Sequence, residues 1–208
     1  MLTCVRGFLT AAIFVLLLAQ GVWASAAKDV IDQGLTQVLS LIKDPGYADI
    51  NKRQELQNQI IALVKNQFDF VEFSARTVGA RWNSFTAAQQ QNFSAAFSDL
   101  LINTYLNKID GYNGEEISFV GEKTSAKGDR VEVMTILNMK TGKKIPVNYR
   151  LLPKDNTWKV YDVLVENISL VKNYRTQFQD ILQTSTPEQL IERIRAKTAE
   201  VKQKNATR

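Results

Sequence analysis

The chain of 208 residues carries a formal net charge of +5 and is 45% hydrophobic, which excludes an intrinsically disordered protein and fits one globular domain. It contains no histidine and one cysteine, Cys4, so the commonest general base, the usual zinc ligands and a disulfide framework are missing. The basic excess suits anionic surfaces such as membranes, although solvated lysines explain it more simply.

The first 26 residues have the organisation of a secretory signal peptide. Arg6 supplies a positive charge, an almost continuous apolar run covers residues 7–19, and Ala24-Ser25-Ala26 is a small-x-small cleavage signal. The run is shorter than the roughly 20 residues that cross a bilayer, which disfavours a retained anchor. We therefore predict a cleaved signal peptide over 1–26 and a single exported domain over 27–208, for which nucleic acid is not an expected partner.

Helical periodicity dominates the first half of this domain. Apolar residues at helical spacing predict amphipathic helices over 28–43 and over about 48–66. A short third helix is predicted between Asp69, a residue that favours helix starts, and Gly79, a residue that favours helix ends.

A longer fourth helix begins at a capping box, in which Thr86 is followed by Gln89. Its apolar residues form a broad and bulky stripe on one face, as expected of a helix that packs against a core. The stripe consists of Phe93, Phe97, Leu100, Leu101 and Tyr105.

From residue 116 the hydrophobic period changes from about 3.6 to 2, which indicates strands. Short polar turns separate these strands, so we predict an antiparallel meander. The predicted strands are 116–122, 130–138, 145–152 and 158–165.

The last predicted strand is unusual because it is apolar on both faces and should therefore be covered on both. Strict alternation places Val160, Asp162 and Leu164 on one face. Asp162 is then either a structural carboxylate, satisfied by backbone N–H groups or by an arginine such as Arg150 or Arg175, or a group at the polar mouth of an apolar cavity. We favour the structural interpretation.

Two further helices close the chain. One is predicted to begin around Asn167 or Ser169, and the other has Thr186 as its cap, Pro187 at its first position and Gln189 three residues after the cap. The predicted fold class is α+β: N-terminal helices, a four-stranded antiparallel twisted sheet, and C-terminal helices that enclose an apolar pocket.

No catalytic motif is recognisable in the sequence. A nucleophile elbow and a phosphate-binding loop are both missing. The neighbouring carboxylates of Glu115 and Glu116 lie at a strand start, where successive side chains point to opposite faces, so turn and edge charges explain them better than an acid/base pair. We therefore predict no enzyme, no catalytic residues, no metal ion and no cofactor.

Five stretches of the chain resemble, in this order, motifs of one known family: 68–82, 85–105, 112–122, 145–152 and 158–178. This is the MlaC family, also called the toluene-tolerance family, of periplasmic phospholipid-binding proteins. The last stretch is the most specific, because the family's aspartate, glutamate, serine and Tyr-Arg pair are matched there. The matching residues are Asp162, Glu166, Ser169, Tyr174 and Arg175.

The resemblance implies a soluble carrier in the periplasm of a Gram-negative bacterium. Such a carrier shuttles phospholipid between the outer and the inner membrane and thereby maintains the lipid asymmetry of the outer membrane. The implied partners are an inner-membrane ABC transporter complex with an MCE-domain protein and an outer-membrane lipoprotein–porin complex. The protein is expected to be a monomer, and phospholipid would be its cargo rather than a cofactor.

A carrier of this kind requires a deep apolar cavity. Exposing two acyl chains of about 16 carbons to water would cost roughly 25 kcal/mol, at ~0.8 kcal/mol per methylene, and surface charges cannot offset that. Each apolar residue of the domain is nevertheless either pocket lining or ordinary core, and Trp82 either lines the pocket or anchors the third helix. The candidate lipid-pocket residues are Phe93, Phe97, Leu101, Tyr105, Val131, Val133, Val147, Tyr149, Val160 and Leu164.

Three alternative functions fit the same sequence features. The protein could carry another apolar lipid such as a hopanoid, it could be a non-catalytic adaptor that docks envelope proteins, or it could be a small hydrolase that uses carboxylates. The lipid that copurifies with the protein discriminates among these functions.

Overall fold

The computed structural model of the protein describes residues 19–206. Residues 1–18, which form most of the predicted signal peptide, lie outside the described residues, and the division into 1–26 and 27–208 stays a prediction. Helix α1 already includes Ala19, the first described residue, and so extends ahead of the predicted start at residue 28, in a stretch whose alanines favour a helix. Within the described range, no helix has both the length and the apolar character that a membrane crossing requires.

The described helices follow the predicted order closely. Two short 3₁₀ helices, Pro45–Ala48 and Gly79–Ser84, connect some of them. The α-helices are α1 (Ala19–Ile42), α2 (Ile50–Gln67), α3 (Phe70–Val78), α4 (Ala87–Asp110), α5 (Leu170–Leu182) and α6 (Pro187–Ala206).

Local capping determines where several helices begin and end. The Asp69 carboxylate accepts a hydrogen bond from the backbone N–H of Glu72 at the start of α3, and Gly79, with φ at 72°, ends that helix. At the start of α4 the backbone N–H of Thr86 donates to the Gln89 side chain, and the backbone N–H of Gln89 donates to the Thr86 hydroxyl. The predicted capping box is therefore confirmed.

One antiparallel sheet follows α4, with its strands side by side in chain order. It has five strands in the described range, whereas the sequence predicted four. The additional strand arises because Glu166 and Asn167 both have positive φ, as a two-residue type I′ hairpin requires. The chain therefore forms a short hairpin before α5 instead of turning directly into the helix. The strands are β1 (Glu116–Thr124), β2 (Val131–Asn138), β3 (Lys144–Lys154), β4 (Thr157–Val165) and β5 (Ile168–Ser169).

A β-bulge interrupts β4 in the middle of the strand. Asp162 pairs with Arg150 and Val160 pairs with Leu151, so one extra residue of β4 lies between the partners of two adjacent residues of β3. Tyr161 is the additional residue. A bulge of this kind shifts the alternation of side chains by one position.

The bulge corrects the predicted faces of β4. Val163 and Val165 pair with the residues of β3 that face α1 and α2, so they share this inner face with Val160. Asp162 and Leu164 lie on the opposite, outer face. The prediction that Leu164 points inward is therefore wrong, because strict alternation does not continue through a bulge.

Two buried clusters stabilise the fold. The first, which we call the aromatic core, is formed by α3 to α6 and centres on the fully buried rings of Phe73, Phe93 and Phe97. The second, which we call the sheet core, lies between the N-terminal half of α1, represented by Ile31, and the inner face of the sheet, represented by Val133. The remaining space between these clusters contains the candidate site.

Candidate functional site

An apolar cavity of about 290 Å³ lies between α1, α2, α4 and the inner face of the sheet. Its walls consist almost entirely of aliphatic and aromatic side chains, which is typical of sites for apolar ligands. Helices α1 and α2 supply Ile31, Gly34, Leu35, Val38, Ile60, Ile61, Val64 and Gln67, α4 supplies Leu101, Ile102, Tyr105, Leu106 and Ile109, and the sheet with its flanking segments supplies Phe68, Phe70, Phe73, Val147, Tyr149, Val160, Val163, Val165 and Leu170.

Half of the predicted pocket residues lie around this cavity. They come from the second half of the α4 stripe and from the inner positions of β3 and β4 that precede the bulge. They are Leu101, Tyr105, Val147, Tyr149 and Val160.

The first half of the α4 stripe lies elsewhere. Phe93 and Phe97 belong to the aromatic core, where both rings contact Phe178 at centroid distances of 5.5 and 5.1 Å. Trp82 packs in the same core against Phe93, at 6.0 Å, rather than along the cavity. The expectation that Phe97 faces the inner strands is corrected, because α3 and α5 cover that part of α4.

Three predicted strand residues also lie away from the cavity. Val131 and Val133 are buried in the sheet core, in the same cluster as Ala27 and Ile31 of α1. Leu164 lies on the outer face for the reason given above. Their apolar character therefore serves packing, as it does for most buried residues of a domain.

The sequence interpretation missed the contribution of α1 and α2 to the cavity. Both helices have the apolar stripe that predicted them, with Ile31, Leu35 and Val38 on α1 and Ile60 on α2, and these residues line the cavity. The signal was present in the sequence. Periodicity shows only that a helical face is apolar, and it does not show whether that face meets a packed neighbour or a cavity.

Two polar side chains on the cavity wall illustrate different roles. The Gln67 amide donates a hydrogen bond to the backbone carbonyl of Val30 at 3.2 Å, and it rests on Gly34, where any side chain would collide with it. Gln67 thus holds the end of α2 against α1. Tyr149 is surrounded by apolar groups, and burial raises the pKa of its hydroxyl to about 12.

Asp162 is the centre of a polar network on the outer face of the sheet. Its carboxylate accepts hydrogen bonds from the Ser169 hydroxyl at 2.7 Å and from the Val171 backbone N–H at 3.0 Å. Arg150 lies 3.3 Å away and also pairs with Glu132 at 2.8 Å. These contacts favour the structural interpretation of Asp162, which connects β4 to the start of α5 and does not line the cavity.

The neighbouring carboxylates of Glu115 and Glu116 also have structural positions. Glu115 is buried and accepts a hydrogen bond from the backbone N–H of Asn113 at 2.7 Å, which fixes the turn before β1. Glu116 is exposed at the first position of that strand. Across the described side chains, no group of three or more acidic, histidine or cysteine residues is placed to hold a metal ion.

Comparison with known proteins identifies relatives across most of the chain. Residues 32–196 match the MlaC protein family. The toluene tolerance protein ttg2D of Pseudomonas putida is 28% identical over 163 residues, which cover 77% of this chain and 74% of that protein. The intermembrane phospholipid transport system binding protein MlaC of Haemophilus influenzae is 21% identical over 135 residues, which cover 63% of this chain and 59% of that protein.

A solved structure has the same fold. The phospholipid-binding protein from Ralstonia solanacearum, determined in complex with a phospholipid, superposes with a TM-score of 0.73 at 25% sequence identity. The superposition covers 84% of this chain and 98% of that protein. With the family match extending from residue 32 to residue 196, the chain belongs to the MlaC protein family.

Proposed function

We propose that the protein is a lipid carrier that holds the acyl chains of a phospholipid in the cavity between α1, α2, α4 and the sheet. The observation that carries this proposal is the cavity itself: its walls are apolar on every side, although a domain of this size could fill such a space with side chains. The phospholipid bound by the Ralstonia solanacearum relative and the transport function in the name of the Haemophilus influenzae relative support the same conclusion.

The cavity as it stands holds only a portion of the apolar part of a phospholipid. Its volume of about 290 Å³ is just below the range of roughly 300–1,000 Å³ that is typical of ligand pockets. The phosphate headgroup therefore stays in water, where its charge is solvated, and we do not expect strong headgroup selectivity. Two acyl chains require the walls to move apart.

The contact between α2 and α4 is weak enough for the two helices to move apart. Both helices line the cavity, and Lys65 of α2 forms an ion pair with Asp99 of α4 at 3.6 Å. Both side chains of this pair are about half exposed, so the pair contributes about 0–1 kcal/mol to stability. Separation of α2 from α4 during loading is therefore opposed only weakly by this pair.

The same proposal extends to the cellular role. The predicted signal peptide and the family support a location in the periplasm. There the carrier would exchange phospholipid between an inner-membrane MCE-type ABC transporter complex and an outer-membrane lipoprotein–porin complex. This exchange would maintain outer-membrane asymmetry. The carrier would act as a monomer and without a catalytic step. Its cargo leaves chemically unchanged.

Lipid extraction from the purified protein tests this function. The protein is isolated from the periplasm, extracted with organic solvent, and its lipids are identified and counted by mass spectrometry. We expect about one phospholipid per chain. A hopanoid in place of phospholipid would establish the alternative cargo, and protein without any lipid would favour the adaptor or the hydrolase.

A further inference from the structure

Tyr149 has a central position in the wall of the cavity. It lies in the middle of β3 and pairs with Val133 on one side and with Val163 on the other. Its side chain is on the inner face, and both it and Val163 line the cavity. A phenol at this position presents a polar group on the sheet side of a cavity whose other polar side chains, Gln67 and Tyr105, lie on the helices.

The hydroxyl of Tyr149 makes no hydrogen bond with any residue in the described part of the chain. Buried tyrosine hydroxyls normally have a partner, because water is not available to replace it. Tyr112 shows the usual arrangement, since its hydroxyl donates to the backbone carbonyl of Glu115 at 3.1 Å. The Tyr149 hydroxyl therefore differs from that of Tyr112 in having no protein partner, and it belongs to a residue on the cavity wall.

We propose that the Tyr149 hydroxyl is a specificity-determining hydrogen-bond donor that recognises a carboxylic ester carbonyl of the cargo, the group that joins an acyl chain to glycerol. This proposal rests on the proposed lipid-carrier function and adds a chemical criterion to it. The cavity selects for apolar chains, and Tyr149 selects among apolar chains for those that are attached through an ester.

The chemistry of membrane lipids favours the ester over other groups. An ester carbonyl is a good acceptor that lies at the border of the acyl region, whereas the phosphate lies further out in water. An ether oxygen is a weaker acceptor, and a hydrocarbon has none. A neutral phenol can satisfy its donor with the ester alone, and it is indifferent to the charge of the headgroup.

Gln67 does not offer the same selectivity. Its amide nitrogen already donates to the carbonyl of Val30, and its side chain is fixed in place by contact with Gly34. Its role is to connect α2 to α1. Among the lining residues on the sheet side of the cavity, Tyr149 supplies a donor without a protein partner.

A competition between two lipids tests the proposal. The exported protein is stripped of lipid and incubated with an equimolar mixture of dipalmitoyl phosphatidylglycerol and its dihexadecyl ether analogue, which has the same headgroup and chain length. Native mass spectrometry then measures the ratio of the two complexes. We expect the wild type to bind the diester in about 2- to 10-fold excess, the range that one neutral hydrogen bond supplies.

Two variants separate hydrogen bonding from packing. Tyr149→Phe removes only the hydroxyl, and we expect it to bind both lipids equally. Tyr161→Phe removes a phenol from the outer face of the same sheet, where Tyr161 contacts Arg76 and Arg130, and it should keep the preference of the wild type. Equal binding by the wild type, or an unchanged preference in Tyr149→Phe, would overturn the proposal.

Thermal unfolding gives a second readout that a purely structural role would not produce. Without lipid, Tyr149→Phe should melt at or above the wild-type temperature, because it removes a polar group without a protein partner. Loaded with the diester, it should melt below the wild type. A lower melting temperature of the variant in both states would assign the hydroxyl to packing and overturn the proposal. Failure of the wild type to bind either lipid would overturn the proposed carrier function as well.

Discussion

Helix α4 passes through two regions that differ in packing although their sequences look alike. In its first half, Phe97 contacts Phe73, Tyr174 and Phe178 at centroid distances of 4.9 to 5.8 Å. In its second half, one turn later, Leu101 begins the part of the same face that borders the cavity. A continuous apolar stripe therefore becomes closely packed core at one end and cavity wall at the other.

The difference comes from what the tertiary structure places opposite the helix. Helices α3, α5 and α6 bring large rings and leucines against the first half of α4. The second half borders the cavity together with the small side chains Val147, Val163 and Val165 of β3 and β4. The comparison teaches that a cavity is a property of the facing elements and of their distance, and that no single stripe encodes it.

The largest effect should come from truncating a residue of the aromatic core. We expect Phe97→Ala to lower the free energy of unfolding by about 3–5 kcal/mol, because it removes a fully buried ring and leaves a void. Leu106→Ala is the matched change in the cavity wall, and it should cost less than about 2 kcal/mol, since it only enlarges a space that already exists. Chemical denaturation measures both values, and equal losses would refute the contrast between the two halves of α4.

Adding volume should also destabilise the core more than the cavity wall. Val133 and Val147 lie on the inner face of neighbouring strands, but Val133 is fully buried in the sheet core and Val147 lines the cavity. Val133→Trp should overpack the core and cost about 1–3 kcal/mol or more. Val147→Trp should cost less than about 1 kcal/mol, because its ring enters space that the ligand leaves.

The lipid content of these two variants completes the test. We expect Val147→Trp to fold and to copurify with little phospholipid, as determined by mass spectrometry of extracted lipid. A strongly destabilised Val147→Trp protein would show that the space is closely packed, and a stable one with a full lipid load would show that the cargo lies elsewhere. Either result removes Val147 from the proposed binding site.

The sequence was sufficient to predict the local elements of this fold. Capping residues such as Thr86 and Ser169 start their helices where expected, and the change of period after residue 110 marks the sheet. These features depend on interactions within a few residues, which a single sequence contains. The fold class follows from their order.

The composition of the cavity wall could be predicted only in part, for physical reasons. Alternation along β4 fails at Tyr161, because a bulge is specified by the pairing with β3 and not by hydrophobic pattern. Packing of α3 and α5 against Phe97 is a long-range contact that periodicity does not contain. The inward-facing residues before the bulge, among them Val160, were accessible to pattern analysis, and Val163 was not.

A substitution in the network around Asp162 tests whether the outer face of the sheet contributes to stability without contributing to lipid binding. Asp162→Asn keeps the shape of the side chain but weakens the contacts with Arg150 and Ser169, and we expect a loss of about 1–3 kcal/mol in the free energy of unfolding. The folded fraction should retain its phospholipid, because Asp162 does not line the cavity. Glu132→Gln, which affects the same arginine at a more exposed site, should cost less.

A catalytic role for Asp162 would give a different result. If the wild type hydrolysed a lipid, and Asp162→Asn abolished this activity with its stability intact, the carrier interpretation would be wrong. Activity measured on extracted phospholipid, together with a denaturation curve of the variant, distinguishes the two outcomes. We expect no turnover from either protein.

A further expected effect concerns alkaline pH and the phenol in the cavity wall. Burial raises the pKa of Tyr149 to about 12, whereas a tyrosine in the unfolded chain ionises near about 10. The folded state therefore retains the proton longer than the unfolded state. The stability linked to this proton is fully present below about pH 10 and is lost as the pH rises toward about 12.

Tyr149→Phe removes this dependence. Between pH 9 and pH 11 the wild type should lose about 1.4 kcal/mol more of its unfolding free energy than the variant does, since one pKa unit separates pH 11 from each of the two ionisations. Tyr174 in the aromatic core is the residue to compare with Tyr149, because burial also raises the pKa of Tyr174 to about 12. Denaturation curves at both pH values, recorded on lipid-free protein, provide the measurement. Parallel losses in the wild type and in Tyr149→Phe would show that water reaches the Tyr149 hydroxyl, and the phenol would then belong to an open surface rather than to a dry cavity wall.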